Sequence, residues 1–203
     1  MIAYDTSTAL IVVDVQNDFA DPVGSLAVRG GFEIIPVINA ELDRAERAGA
    51  TIVYTQDWHP ETTPHFERDG GTWPVHCVHD TWGAALHPSL RVAAESVRVR
   101  KGVGGEDGYS AFTVRDPVSG EEHATDLEAR LRERTIERVV VCGLATDYCV
   151  RATVLDARRL GFETVVLTDA IAAVDLAPGD GERAAAEMAE AGARLEQGDP
   201  ARA

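Results

Sequence analysis

The sequence predicts a three-layer αβα fold built on a mainly parallel, doubly wound sheet. Three observations predict it. Short, continuous runs rich in Val and Ile recur along the chain, as strands buried on both faces do. Segments with helical spacing lie between them, and alternation of this kind implies parallel strands joined by helical crossovers. Polar residues follow directly after four of the runs, where ligands bind in open α/β sheets.

The elements read as follows. Ala9–Val13 is a strand, ended by Asp14. Ile34–Ala48 is a helix, with Ile34, Ile35, Ile38, Leu42 and Ala45 on one face and Gly49 as its stop. Thr51–Thr55 is the second strand. Gln56–Pro88 is long, polar and rich in His, Trp and Pro. A loop of that length inside a compact domain is functional or disordered, and its aromatic content argues against disorder. Val97–Val99 is the third strand, running out to Lys101. Gly102–Ser110 is Gly-rich. Thr125–Arg134 is a helix opened by a capping pair, Thr125 and Glu128. Arg138–Cys142 is the fourth strand, Asp147–Leu160 a helix stopped by Gly161, and Glu163–Leu167 the fifth strand. Gly181–Ala191 is an Ala-rich helix, followed by a weak strand at Ala193–Leu195 and a frayed tail, Gln197–Ala203. No repeat or boundary interrupts the chain, so one domain spanning 1–203 is expected.

Acidic residues outnumber basic ones, 34 against 19, for a formal charge of −15. Such a surface repels nucleic acid and anionic membranes and suits a small neutral substrate; it also serves solubility alone. The three cysteines, Cys77, Cys142 and Cys149, are too few and odd in number for a disulfide framework. Reduced thiols in the cytoplasm fit better. The N-terminus carries no signal-peptide pattern and no run is long enough to span a membrane.

Four strand ends deliver chemistry to one rim: Asp14, then Asp57 and His59, then Lys101, then Gly143 to Cys149. Cys149 falls in the first turn of a helix, where the dipole and unpaired N–H groups favour thiolate and can hold an oxyanion. Its alternative is a small buried apolar residue. Cys142, inside a strand, reads as a packing residue; so does Cys77, in the loop after a His, with a ligand role as its alternative. A cysteine nucleophile needs a base. Asp14, interrupting an apolar strand, is partly desolvated and can serve, with Lys101 fixing the geometry; as alternatives, Asp14 is a cap and Lys101 a solvated strand end. Asp57 and His59 share a face of extended chain. With His65, His76, His79 and His87 nearby they form a mixed N/O donor set for an open metal site, or else a surface binding loop. The glycines after Lys101 lack a phosphate-binding ending and carry Glu106 and Asp107, so they read as a flexible lip presenting Tyr109.

Five stretches together resemble the isochorismatase-like cysteine hydrolases, and among them the nicotinamidases: Ile11-Val-Val-Asp-Val-Gln-Asn-Asp-Phe19, Thr55-Gln-Asp-Trp-His59, Trp73-Pro-Val-His-Cys77, Lys101-Gly102, and Gly143-Leu-Ala-Thr-Asp-Tyr-Cys-Val150. The resemblance spans nearly the whole chain. It implies the isochorismatase-like hydrolase fold, a catalytic triad of Asp14, Lys101 and Cys149, and a divalent metal on Asp57, His59 and His76, with His65 as the additional ligand of some members. The metal would be zinc first, with iron(II) or manganese(II) as alternatives. Phe19 and Trp73 would sandwich a pyridine ring, and Tyr109, Leu144 and Tyr148 would complete the pocket. Leu144–Ala145 would be a cis peptide, and the N–H groups of Ala145 and Cys149 an oxyanion hole. Tyr148 stands where some members carry His. The implied activity is hydrolysis of nicotinamide, and of pyrazinamide, through a Cys149 thioester in NAD salvage, in the cytoplasm, without nucleic-acid or membrane partners. A homo-oligomer is compatible with it. The alternatives are a relative acting on a carbamoyl or ureido amide, a non-catalytic zinc-binding interaction module, and, last, a nucleotide-binding oxidoreductase, disfavoured because no Gly-rich turn follows the first strand.

Overall fold

Alternation along β1 (Thr8–Val13) creates the layers. Leu10 and Val12 point to one side of the sheet and Ala9, Ile11 and Val13 to the other, and all five are fully buried. On the first side they pack with Ile35, Ile38 and Leu42 of α2 (Ile35–Arg47). On the second they join Leu127 and Leu131 of α3 (Leu127–Glu133), Val154 and Ala157 of α4 (Arg151–Arg159), and Met188 of α5 (Asp180–Glu190). This computed structural model describes residues 2–198, so residues 199–203 of the expected frayed tail lie outside the described residues.

The remaining strands of the sheet are β2 (Thr51–Asp57), β3 (Val97–Lys101), β6 (Arg138–Leu144), β7 (Glu163–Ala172) and β8 (Arg194–Glu196). Their order is β3-β2-β1-β6-β7-β8, and every ladder is parallel. From β1 the chain winds outward through β2 to β3, then returns to lay β6 on the other flank of β1. The order therefore reverses between β1 and β6, and a switch point of this kind opens a crevice at the carboxyl ends of the two strands. Asp14 leaves β1 there, and Cys149 follows β6 there.

Several boundaries differ from the sequence expectation. The capping pair at Thr125 and Glu128 does not form. The Thr125 hydroxyl donates to the Ala111 carbonyl at 2.7 Å, and α3 begins only at Leu127. The helix expected from Asp147 opens as one π turn, Thr146–Val150, before α4. β3 reaches Lys101, β2 reaches Asp57, and β7 runs on to Ala172 past a register shift opposite Val141 and Gly143. A short helix α1 (Asn17–Ala20) and an antiparallel hairpin of β4 (Thr113–Arg115) and β5 (Glu122–Ala124) were not foreseen. Among the described residues no helix is long and apolar enough to cross a membrane.

The long segment after β2 is pinned to α1. Asn17 and Asp18 donate backbone bonds to Ala85 and Gly83 at 3.0 and 3.1 Å, and His87 donates to Val15 at 2.9 Å. The buried Asp18 carboxylate accepts from the Cys77 N–H at 2.7 Å and from the Ser25 N–H at 3.1 Å. Inside the segment His59 donates to Cys77 and His79 donates to His59, at 3.0 and 2.8 Å. These backbone bonds let an irregular stretch hold buried histidines in place.

Gly143 shows how tightly β1 and β6 meet at the switch point. Its φ is +110°, and a Cβ placed on it would lie 2.1 Å from the Val13 carbonyl oxygen. Gly143→Ala is therefore expected to destabilise the fold by about 2–4 kcal/mol through backbone displacement. Equilibrium denaturation in urea would measure this, and an unchanged midpoint would contradict the close approach.

Candidate active site

Lys101, the last residue of β3, is 1% exposed, and its ammonium lies in a nest of acceptors. Nζ is 2.8 Å from Asp14 Oδ2, makes a very short contact with Asp57 Oδ1, and is 3.6 Å from Cys149 Sγ. Asp14 is fully buried just beyond β1, at φ 48°, a left-handed conformation that a non-glycine residue holds only when its surroundings impose it. Those surroundings include Thr55, whose hydroxyl donates to Asp14 Oδ1 at 2.6 Å and accepts from the Asp14 N–H at 3.1 Å. Gln16 secures Asp57: its side-chain oxygen accepts from the Asp57 N–H at 2.8 Å, and its amide donates to the Asp57 carbonyl at 2.7 Å. Thr55 and Gln16 lie within the quoted stretches, yet their roles rest on contacts between strands and had no sequence signal.

The charges follow from burial. Burial raises the Asp14 carboxyl above the usual carboxylate range against the pull of Lys101, and nearby Asp57 pushes it further up. Asp57 feels the same burial, but Lys101 together with His59 and His76 holds it well below that range. Lys101 is held well above its ordinary value, because Asp14, Asp57 and Cys149 outweigh its burial. Two carboxylates thus share one ammonium and are driven apart, leaving Asp14 as the one suited to exchange a proton. The thiol departs from expectation. Burial, with Asp14 and Asp57 adding to it, raises Cys149 well above the ordinary thiol range despite Lys101. This favours a neutral thiol at rest: burial first, and the two carboxylates after it, oppose the thiolate that the helix start was expected to favour.

Beside this nest His59, His65 and His76 bring ligand atoms within 4.8 Å of one another. Asp57 faces them with its second oxygen, 3.8 Å from His59 Nε2 and 3.9 Å from His76 Nε2. His76 Nδ1 bonds the Pro74 carbonyl at 2.7 Å, which leaves Nε2 for the cluster, and burial lowers His76 to about 4, so the ring is neutral. Both ring nitrogens of His59 are buried without a hydrogen-bond partner. An orphaned imidazole among two other histidines and a carboxylate is a donor set that fits a divalent metal of the zinc, iron or manganese kind. His79 and His87 stand apart: His79 is exposed against Asp80, and His87 lies 3.5 Å from Asp21. Cys77 is fully buried and packs in the core, as does Cys142.

A cavity opens above these groups, lined by Phe19, Trp73, Tyr109, Tyr148, Ala145 and Cys149, with Asp57, His65 and His76 in its wall. The Trp73 indole N–H donates to the Tyr109 hydroxyl at 3.0 Å, and Trp73 meets Tyr148 edge-on at 4.9 Å. Leu26, Val28 and Val174 complete the lining. Sequence reasoning missed them, because a lone apolar residue in a loop carries no mark of what it faces. Leu144 was expected in the pocket; its side chain is fully buried in the core and does not line the cavity. Leu144–Ala145 is a cis peptide. The Tyr148 and Val150 N–H groups donate to the Ala145 carbonyl at 3.1 and 3.0 Å and close the turn that carries Cys149.

Comparisons with known proteins bear on the family and the fold. The model of the isochorismatase domain matches residues 8–198. The nicotinamidase of Escherichia coli (strain K12) is 38% identical, covering 92% of this chain and 93% of its own. Among solved structures, the pyrazinamidase of Pyrococcus horikoshii in complex with zinc superposes with a TM-score of 0.85 at 41% identity, covering 94% of this chain and 99% of its own. PnC1 from L. infantum in complex with nicotinate gives 0.87 at 39% identity, covering 97% and 96%. A family match running from the start of β1 through β8, over a sheet that carries the same architecture, shows that the chain belongs to the isochorismatase family.

Proposed function

We propose that this chain is a nicotinamidase, hydrolysing nicotinamide to nicotinate and ammonia, and pyrazinamide in the same way. The observation that carries the reading is the Lys101 ammonium, joined at once to Asp14 and Asp57 and 3.6 Å from Cys149 Sγ, at the base of an aromatic cavity walled by histidines. The relatives named above act on, or bind, pyridine or pyrazine carboxamides and their acids. The histidine cluster favours this reading over a carbamoyl or ureido amide, because an aromatic ring nitrogen gives a metal centre something to bind.

Phe19 and Trp73 hold the ring between them, with Tyr109 and Tyr148 closing the side. Asp57, His59, His65 and His76 would hold the metal, with zinc as the first choice. When bound, a divalent ion supplies a Lewis-acid anchor for the ring nitrogen and polarises water. Asp14 takes the Cys149 proton as sulfur attacks the carboxamide carbon; because the resting thiol is neutral, transfer and attack proceed together. The N–H groups of Ala145 and Cys149 receive the oxyanion. Asp14 returns the proton to nitrogen, the C–N bond breaks and ammonia leaves. Asp14 then deprotonates a water that attacks the thioester carbonyl, and collapse of that adduct releases nicotinate and restores the thiol. Lys101 keeps Asp14 in place and balances its charge throughout. Three buried free thiols suit a reducing cytoplasm, and NAD salvage is the pathway that uses this product.

Two measurements check the reading. Cys149→Ala should keep its metal content and lose ammonia release from nicotinamide by at least about 10⁴-fold; turnover near the wild-type rate would end the covalent mechanism. Treatment with a strong chelator should abolish ammonia release, and added zinc should restore it, with metal content tracked alongside. Undiminished hydrolysis of nicotinamide by the metal-free protein would end the metal reading, and preference for a ureido amide would point to the other branch of the family.

A further inference from the structure

Each cluster histidine is oriented by a different device. His76 is fixed by the Pro74 carbonyl on Nδ1 at 2.7 Å. His59 is fixed by packing: a Cβ on Gly102 would lie 2.5 Å from its Nδ1, so only glycine leaves the ring its room. His65 is held by a side chain. Its Nδ1 lies 2.9 Å from Asp107 Oδ1, while the other Asp107 oxygen accepts from Arg115 at 2.7 Å. The Gly108 N–H donates to Asp107 Oδ1 at 2.8 Å, and the backbones of Asp107 and Arg115 pair in an isolated antiparallel bridge. The carboxylate is thus fixed from three sides before it meets the imidazole. A carboxylate on Nδ1 puts the proton there and leaves the Nε2 lone pair free for the cluster.

From this geometry we propose that Asp107 is a positioning residue for the divalent cation, setting the tautomer and orientation of His65 so that Nε2 serves as a ligand. The proposal rests on the metal reading of the histidine cluster. It gives the Gly-rich segment after β3 a second duty besides presenting Tyr109: one turn of chain carries both a wall of the cavity and the support of a metal ligand.

The test is a set of zinc affinities, measured by competition with a chromogenic chelator on metal-stripped protein, with thermal melts to show that each variant folds. Wild type should bind one zinc. Asp107→Ala should weaken binding by about 10–100-fold. Asp107→Asn, which keeps an acceptor and the shape of the turn, should recover most of that loss. In a His65→Ala background, Asp107→Ala should cost less than about twofold, because its effect passes through His65. Asp107→Ala binding zinc as tightly as wild type, or keeping its full effect without His65, would overturn the proposal. His59→Ala separates the two levels: zinc binding that is absent in wild type, or indifferent to His59, removes the metal reading and this proposal together. Loss in His59→Ala with none in Asp107→Ala removes the proposal alone.

Discussion

One buried ammonium organises the molecule's chemistry. Lys101 is almost wholly removed from water, a position that costs several kcal/mol unless compensated. It is compensated by two carboxylates from two other strands and by a sulfur beyond a fourth. The same pairing ties two halves of the site together: Asp14 belongs with the thiol, and Asp57 turns its second oxygen to the histidines. Removing the positive charge would leave two carboxylates facing each other in a low-dielectric pocket.

The sheet makes this meeting possible. β1, β2, β3 and β6 run in one direction, so their carboxyl ends share a rim. Residues 87 positions apart, Asp14 and Lys101, touch because β2 alone separates their strands. Thr55, near the end of β2, bridges the gap by bonding Asp14. Gly143 brings β6 close against β1, so the turn bearing Cys149 begins beside Asp14. The fold thus supplies proximity, and burial supplies the separation of acid strengths that lets one carboxylate stay charged while its neighbour exchanges a proton.

The strands and the main helices were legible because buried parallel strands leave continuous Val/Ile runs and amphipathic helices leave a period; α2 matches its expected limits to within one residue at each end. The convergence of Asp14, Asp57, Lys101 and Cys149 was legible too, since each ends or follows one of the apolar runs. What lay beyond reach depended on distant partners. The Cys149 thiol is pushed up first by its burial and then by carboxylates from other strands, neither of which its own helix turn reveals. Thr125 does not form the expected pair with Glu128: its hydroxyl donates to the Ala111 carbonyl and its oxygen accepts from the Leu127 N–H, at the very start of α3. Leu144 sits in the motif that carries Cys149, but alternation along β6 turns its side chain into the core. Asp107 looked like a charge in a lip, and only its approach to His65 gives it a purpose.

The dependence on Lys101 is open to a direct measurement: the unfolding free energy of Lys101→Met, together with its zinc content and its rate of ammonia release. The account predicts a loss of about 3–5 kcal/mol, with weakened zinc binding and turnover lower by at least about 10³-fold. A Lys101→Met protein as stable as wild type, holding zinc and turning over within about tenfold of it, would contradict the claim that this ammonium unites the two halves of the site.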